Sequence, residues 1–210
     1  MIAYKFLCPG RIAPFTRHAW PEPGGDWVKG SASGAATICL DGVHACRPRD
    51  LPLWLDEELW EVELAGTIVE SDSKLAADRG RLTRQISAWN PGSASDFALA
   101  CALRTRDQAL WALRRSGTPQ ELGAADSLAR AFTAREVLAV CEAVEPTAGD
   151  QAKLALGFSA DAAGSALDDA CAEGAYIAAH AAGVLHGAPG EIAERAWQAD
   201  WLAERLELRV

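Results

Sequence analysis

The composition of the chain changes at residues 90–93, Asn-Pro-Gly-Ser, and this change constrains the fold more than any other feature. Before it, the sequence is rich in Pro, Gly and Trp and carries short runs with strand-like composition. After it, Ala, Leu, Glu and Arg dominate, and these residues have the lowest free-energy cost in a helix. The sequence therefore predicts an α+β protein: a small mixed or antiparallel β module over residues 1–90, followed by an alanine-rich helical bundle over residues 91–210.

Capping signals divide the helical half. The segments 118–121 and 133–136 both read Thr-x-x-Glu, the spacing of a capping box, and predict two helix starts. Phe132 and Val137 occupy the positions of a hydrophobic staple around the second start. Glycines within 151–186 predict two or more helices there, or one helix that packs closely on a neighbour. A last amphipathic helix follows Pro189-Gly190, with an apolar stripe formed by Ile192, Ala196, Ala199, Leu202, Ala203 and Leu206.

The first strands of the N-terminal half are short. Residues 2–8 have the composition of a strand and end at Pro9-Gly10. Asp41-Gly42 is a strong hairpin signal and predicts a turn between strands at 36–40 and 43–46. A short helix is expected near 50–56.

The clearest strand pattern covers residues 59–64. Trp60, Val62 and Leu64 alternate with two glutamates, Glu61 and Glu63, which predicts one buried and one solvent-exposed face. Ala65-Gly66 predicts a turn into a further strand at 67–70. The spacing of Leu75, Leu82, Ile86 and Trp89 favours a helix over residues 79–89.

The net charge of −9, from 20 basic and 29 acidic residues, limits the partners. A surface of this sign repels phosphate backbones and anionic lipids, so nucleic acids and membranes are disfavoured. The first ten residues lack the basic start and apolar stretch of a secretion signal. No run of about 18 apolar residues predicts a membrane span. We therefore expect a cytoplasmic protein whose six cysteines are thiols.

His44 and Cys46 form the densest chemical cluster, because residues two apart in a strand share a face. His44 is a candidate general acid or base, and Cys46 a candidate nucleophile that the imidazole would activate. The structural alternative is a core thiol beside a histidine bound to the main chain. Cys8 and Cys39 would extend the cluster to four soft ligands, but only the His-x-Cys pair is compact, so no metal site is predicted.

Two tryptophans and two arginines are candidate substrate-binding residues. Trp20 and Trp27 lie in a loop-rich stretch, and loops that keep large aromatic residues usually fold over something. Arg47 and Arg81 could bind an anionic group, since guanidinium forks suit carboxylate and phosphate. Surface ion pairs are the alternative role for these arginines.

Three segments carry a resemblance to a known family. Ala3-Tyr4-Lys5, the segment 39–46 with Gly42-Val43-His44-Ala45-Cys46 at its centre, and the segment 60–66 resemble an uncharacterised bacterial and phage domain. That family reads roughly AYK, then C-x-x-GFHxC, then EVE-x-x-G, and valine replaces its phenylalanine at position 43. The resemblance covers about residues 1–70 and implies a domain without an assigned activity.

The order of elements after Gly42 is also similar to ADP-ribosyltransferase-like folds. In these, a Gly-x-aromatic or Gly-x-His strand, a short helix and a second strand contribute to a nicotinamide pocket. Gly42, His44 and the strand 58–64 fit this order, and the similarity implies NAD binding. The distal glutamate of such folds has no clear counterpart here, although Glu70 is available.

Two functions from different classes remain open. The first, slightly favoured, is a small-molecule enzyme of unknown cofactor, with His44 as acid or base in a pocket between the β module and the helices. The second is a non-catalytic interaction protein, such as a defence, immunity or regulatory factor, which binds a protein partner through a tryptophan-rich surface. A homodimer through the helical half is compatible with either. The surroundings of His44 and of the tryptophans should separate the two.

Overall fold

Five antiparallel strands form one sheet in the computed structural model, which describes residues 1–30, 36–116 and 118–209. The strands are β1 (Ile2–Leu7), β2 (Val28–Lys29), β3 (Val43–Ala45), β4 (Glu58–Glu70) and β5 (Leu75–Gln85). Their order is β1-β4-β5-β2, and β3 also pairs with β5. Together with the helices that follow, this sheet confirms the predicted α+β class.

The sheet curls back on itself at the end of β3. Tyr4 and Cys46 exchange both main-chain hydrogen bonds, at 2.9 and 2.8 Å, so the end of β3 lies against β1 as well as β5. The inward side chains form one apolar cluster: Ala3, Leu7, Ala13, Trp20, Val43, Ala45, Trp60, Val62, Leu64, Leu75, Ala77 and Leu82. Gly80 faces this cluster, and a Cβ there would come within 2.7 Å of Val43 Cγ1. Closure of the sheet therefore fixes the segment that contains His44.

The predicted turn at Ala65-Gly66 is wrong, because β4 continues through it. Gly66 has φ +85° and sits at an irregularity in the pairing with β5, between Ala65 and Ile68. The carboxylate of Asp78 accepts the amide of Thr67 at 2.7 Å and holds this bulge. The chain reverses instead at Ser71–Lys74, where the Ser71 amide donates to the Lys74 carbonyl.

The predicted helix over 79–89 is also wrong, since residues 75–85 form β5. Leu75 and Leu82 are seven apart, a helical spacing, yet both point inward from a strand. Inward-facing residues are two apart along most of β5, but Ala77 and Gly80 are three apart, opposite the bulge in β4. This extra residue gives the apolar side chains a spacing that resembles that of a helix.

Only the second half of the predicted hairpin around Asp41-Gly42 forms. Thr37 and Asp41 close a tight turn through main-chain bonds of 2.9 and 3.0 Å, with Cys39 at φ +67° inside it. The strand predicted at 36–40 is therefore wrong, and β3 pairs with β5 instead. Residues 31–35 lie outside the described part.

Glu61, expected on a solvent-exposed face, is buried. Its carboxylate accepts from the Thr83 hydroxyl at 2.8 Å and pairs with Arg84 at 3.2 Å. Tyr4 lies directly opposite Glu61 and is covered by the C-terminal segment, where the Arg209 amide donates to the tyrosine oxygen at 2.9 Å. Glu63, two residues on, keeps partial exposure. The sequence pattern did not reveal this cover over the outer face.

In the part of the chain that the structure describes, six helices follow the sheet: α1 (Pro91–Ser116), α2 (Pro119–Leu128), α3 (Ala134–Val144), α4 (Asp150–Leu167), α5 (Cys171–His186) and α6 (Ala188–Arg205). The chain divides into two compact units, Met1–Pro91 with Ala199–Val210 and Gly92–Gln198, so one boundary falls inside α6. Buried alanines make up much of the second core. Within the described ranges, no helix is both long and apolar enough to cross a bilayer.

The two capped helix starts are confirmed, with differences in detail. Thr118 and Thr133 each accept the amide of the glutamate three residues on. The staple is wrong, because Phe132 is 64 % exposed and lies 5.5 Å from the Arg106 guanidinium. The predicted stripe is correct at Ala199, Leu202 and Leu206, although Leu206 follows the end of α6. It is wrong at Ile192, which is 69 % exposed, and at Ala196, which is also exposed.

Removing the Thr133 cap should weaken the second unit by a measurable amount. Thr133 Oγ1 accepts the Glu136 amide, while Glu136 Oε2 accepts the amides of Phe132 and Thr133 at 3.0 Å. We expect Thr133→Ala to lower the free energy of unfolding by about 1 kcal/mol, because one helix-start amide loses its acceptor. Thr133→Ser keeps the acceptor and should cost much less. Urea denaturation followed by circular dichroism measures both, and equal losses in the two variants would contradict the capping role.

Candidate functional site

The candidate site lies where β3 meets β1, at the segments that the sequence singled out. The pairing of Tyr4 with Cys46 places Lys5 beside His44, and Lys5 Nζ donates to the His44 carbonyl at 2.7 Å. Tyr4 also lies directly opposite Glu61, which is on β4. The three segments that carry the family resemblance are thus neighbours in one sheet. The resemblance itself stays a prediction.

His44 is held by the turn that precedes it. Its Nε2 accepts the Cys39 amide at 3.1 Å, so this nitrogen carries no proton in the observed bond. Burial, followed by the positive charges of Lys5 and Lys74, lowers the pKa of His44, and a hydrogen bond with the Gly42 main chain only partly opposes this. The imidazole is therefore a neutral ring at neutral pH that fixes the 37–41 turn.

Cys46 is buried and bonded away from the imidazole. Its thiol donates to the Tyr4 carbonyl at 3.3 Å. Burial raises the pKa of Cys46 to about 12, so the group is a thiol at neutral pH and a weak nucleophile. His44 and Cys46 are two residues apart in the same segment, but their side chains bond to different main-chain groups and not to each other.

Within the described residues, no three His, Cys, Asp or Glu side chains are grouped closely enough to hold a metal ion. Cys8 illustrates the separation, since its thiol lies against the carboxylate of Asp56 at 3.5 Å. The structure does not gather Cys8, Cys39, His44 and Cys46 as one ligand set.

Lys5 is the residue that sequence reasoning missed. Its side chain points inward from β1 between Ala3 and Leu7, opposite Trp60, and Nζ lies 5.6 Å from the centre of the Trp20 ring. Burial lowers the pKa of Lys5 from 10.5 to about 8. The available signal was the position of a lysine inside an apolar strand, where a long cationic side chain is unusual.

Trp20 and Trp27 do not share a surface role. Trp20 is buried over Lys5, in the apolar cluster. Trp27 is partly exposed and contacts two guanidinium groups, those of Arg79 at 5.0 Å and Arg81 at 4.7 Å. The structure therefore joins two of the predicted binding residues, Trp27 and Arg81, on the outside of the sheet.

Lys29 adds a third cation to this outer cluster. It lies directly opposite Arg79 in the pairing of β2 with β5. Arg81 pairs with Glu63 at 2.7 Å, whereas in the described part of the chain neither Lys29 nor Arg79 lies within ion-pair distance of a carboxylate. We call Trp27, Lys29, Arg79 and Arg81 the basic edge.

The side chain of Arg47 has a structural role, because its nitrogens bond to other residues of the sheet region. Its Nε bonds Asp50 at 2.6 Å, one terminal nitrogen bonds Glu70 at 3.0 Å, and the other bonds the Ser71 carbonyl at 2.6 Å. The hydrogen bond to Asp50 is the main cause that raises the pKa of Arg47. An arginine with all its nitrogens engaged is a poor substrate anchor, and its partner Glu70 is equally engaged.

Two cavities lie apart from these residues. One of about 500 Å³ is lined by residues 84–88 and by Leu206, Glu207 and Arg209. The other, of about 340 Å³, lies along α1 at Asp107, Leu110, Trp111, Arg114 and Arg115. Neither is lined by His44, Cys46 or Trp20.

Comparison of the chain with family models, with curated protein sequences and with solved structures finds no match to any of them.

Proposed function

We propose that this protein is a non-catalytic binding protein whose sheet recognises an acidic segment of a protein partner through the basic edge. The observation that carries the proposal is the placement of Lys29 directly opposite Arg79 without a described carboxylate at ion-pair distance from either. Like charges directly opposite in a sheet cost stability. Their position beside a partly exposed tryptophan supports a role in recognition.

The basic edge belongs to a chain that is acidic as a whole. The chain has a net charge of −9, so a cluster of three cations on one strand pair stands out from its surroundings. The stretch that follows β2 in the sequence, residues 31–35, reads Ser-Ala-Ser-Gly-Ala and brings no acidic side chain. Glu63 pairs with Arg81. Hydrogen bonds from the amides of Thr67 and Ala36 lower the pKa of Asp78, and the charge of Arg79 adds to this effect. No described carboxylate, however, lies within ion-pair distance of Lys29 or Arg79. An acidic ligand could therefore pair directly with these two cations.

The residue types favour a protein surface as the partner. Tryptophan and arginine are the side chains most often found at the energetic centres of protein interfaces. The two arginines hold the Trp27 ring from β5, which limits the entropy lost on binding. The basic edge lines neither of the two cavities described above, so a surface contact fits it better than an enclosed small molecule.

The competing hypothesis, a small-molecule enzyme with His44 as acid or base, has less support. The Nε2 atom of His44 is bonded to the main chain, and Cys46 is a buried thiol. Trp20 covers Lys5 and does not roof an arginine-lined pocket. NAD binding of the ADP-ribosyltransferase kind rests only on the order of elements around His44.

Charge reversal at Arg79 tests the proposal. We expect a synthetic octapeptide of glutamate to shift the indole Nε1 signal of Trp27 and the Nε signal of Arg79 in nitrogen-15 spectra, saturably and less at high salt. Arg79→Glu should weaken this binding at least fivefold. It should leave the fold intact, because the new carboxylate would face Lys29 as an attractive cross-strand pair.

Arg49→Glu is the matched control, since it makes the same change in net charge at an exposed arginine outside the basic edge. It should leave the peptide affinity within twofold of the wild-type value. An equal loss in both variants would show that only the overall charge matters. Inorganic phosphate that reproduces the Trp27 shift, with no effect of the peptide, would replace the protein partner by a small anion and overturn the proposal.

A further inference from the structure

The Lys5 amine lies in surroundings that are unusual for a lysine. The stem of the side chain runs along the inward face of β1, with Trp60 opposite it on β4. Its Nζ donates to the His44 carbonyl at 2.7 Å, under the ring of Trp20 at 5.6 Å. The side chain keeps some exposure, so the amine is covered but not sealed.

No carboxylate of the described residues lies within ion-pair distance of this amine. The titratable groups that face it, from the segment of β3, are His44 and Cys46, and both are neutral at neutral pH. On β4 it lies opposite Trp60, between Val62 and Glu58 on the same face. The Glu58 carboxylate accepts the amides of Gly10 and Arg11 and the indole of Trp60, and it is not within ion-pair distance of the amine. Burial thus lowers the pKa of Lys5 to about 8. An amine of that kind has about 300 times more free base at pH 7 than one with the ordinary value.

We propose that Lys5 is a nucleophilic amine that condenses reversibly with a small aldehyde. The nitrogen lone pair attacks the carbonyl carbon, the oxygen takes up a proton, and loss of water leaves an imine, whose protonated form is an iminium cation. The aldehyde supplies the carbonyl, so no oxidant or reductant is needed for this step. Desolvated lysines next to apolar groups are activated in this manner.

The surrounding residues favour a small and uncharged aldehyde. The Trp20 ring limits the room beside Nζ, and Trp20 and Trp60 belong to the apolar cluster on this face, which can supply contacts for an alkyl group. The Trp20 ring also attracts the iminium charge as it attracts the ammonium charge. This inference concerns the inward face of the sheet and does not depend on the basic edge.

Competitive reductive alkylation tests the proposal on the four lysines of the chain at once, Lys5, Lys29, Lys74 and Lys153. Limiting acetaldehyde and cyanoborohydride at pH 7, followed by proteolysis and mass spectrometry, measures the extent of modification at each. We expect Lys5 to be modified at least tenfold faster than Lys29 and Lys153, which are exposed. In concentrated urea this preference should disappear, because unfolding restores ordinary solvation to every lysine.

Two results would overturn the proposal. Modification of Lys5 no faster than that of Lys29 and Lys153 would mean that the amine is inaccessible or ordinary. A preference that persists in urea would trace the selectivity to local sequence and not to the folded site. Loss of peptide binding at the basic edge would leave the prediction for Lys5 untouched, so failures of the two proposals can be told apart.

Discussion

The Lys5→Met variant is expected to gain stability relative to the wild-type protein near neutral pH and to lose that advantage at alkaline pH. Burial lowers the pKa of Lys5 from 10.5 in the unfolded chain to about 8 in the folded one. Below pH 8 both states carry the proton, and the folded state bears the whole cost of burying the charge. Between pH 8 and 10.5 the unfolded chain binds a proton that the folded chain has released, so wild-type stability rises with pH.

The expected change in the stability difference between Lys5→Met and wild type follows from the shift in the pKa of Lys5. A change of one pKa unit corresponds to about 1.4 kcal/mol, so the full shift allows about 3 kcal/mol. Because Lys5 keeps some exposure, we expect the stability difference between the two proteins to change by about 2 kcal/mol from pH 7 to pH 10.5. Methionine keeps the apolar stem but loses the bond to the His44 carbonyl, which offsets about 1 kcal/mol of the gain.

Urea denaturation at several pH values, followed by tryptophan fluorescence, measures this difference. The comparison with wild type removes the titration of the cysteines and tyrosines, which both proteins share. Lys153→Met is the matched control, because Lys153 is exposed on α4 and should give a pH profile parallel to wild type. Parallel profiles for Lys5→Met as well would show that the folded protein does not bury this charge.

Local signals in the sequence were sufficient to locate two helix starts in the helical half. The starts of α2 and α3 follow from Thr-x-x-Glu spacings, because a cap acts within one turn and needs no distant partner. The glycines indicated either several helices or one closely packed helix, and they did not locate the break. It falls between Leu167 and Cys171, where no glycine stands, while all four glycines lie within α4 or α5. The prediction of a hydrophobic staple at Phe132 was wrong, because the Phe132 ring contacts the guanidinium of Arg106, which lies on another helix.

The sheet was harder to predict, because its pattern depends on distant pairing. Gly66 reads as a turn residue, yet the partner strand β5 supplies hydrogen bonds on both sides of it and makes it a bulge. Glu61 reads as a solvent-exposed residue, yet a segment almost 150 residues later in the chain covers the same face. Contacts of this kind leave no mark in a window of ten residues.

In the candidate site, too, residue types could be read from the sequence, whereas contacts between distant segments could not. His44 and Cys46 drew notice as reactive residue types, but their hydrogen bonds to the main chain come from the closure of the sheet. Lys5 was named only as part of the Ala3-Tyr4-Lys5 segment and not as a reactive residue, since only the position of Trp20 and of the His44 carbonyl makes its amine unusual. Trp27 and Arg81 were predicted separately, and the pairing of β2 with β5 brought them together.

A second large effect is expected in the helical unit, at a buried carboxylate. Glu194 on α6 is 1 % exposed, and its Oε2 accepts two bonds from Arg104, at 3.0 and 2.7 Å. Its Oε1 has no hydrogen-bond partner among the described residues. The Arg104 guanidinium lies 4.5 Å from the centre of the Trp197 ring, so the arginine both neutralises the carboxylate and packs on α6.

Arg104→Met should lower the free energy of unfolding by about 3 kcal/mol, because the buried Glu194 carboxylate loses the cation that bonds it and keeps only the nearby charge of Arg195. Methionine keeps an apolar stem on Trp197. We take the low end of the range for such pairs, since 41 % of the Arg104 side chain is exposed. The double variant Arg104→Met with Glu194→Met should return to within about 1 kcal/mol of wild type, because apolar residues replace both charges. Arg130→Met, at an exposed arginine, is the control for loss of a cation alone.

Urea denaturation of the wild-type protein, Arg104→Met, Glu194→Met and the double variant, followed by circular dichroism, gives the four free energies that a double-mutant cycle requires. The cycle should yield a coupling energy of about 2–3 kcal/mol between the two positions, well above that of an exposed ion pair. A loss in Arg104→Met no larger than in Arg130→Met would mean that Glu194 obtains a proton or a solvent partner at little cost. A double variant as unstable as Arg104→Met would instead assign the loss to packing on Trp197, because the charge would then be absent and the instability would remain.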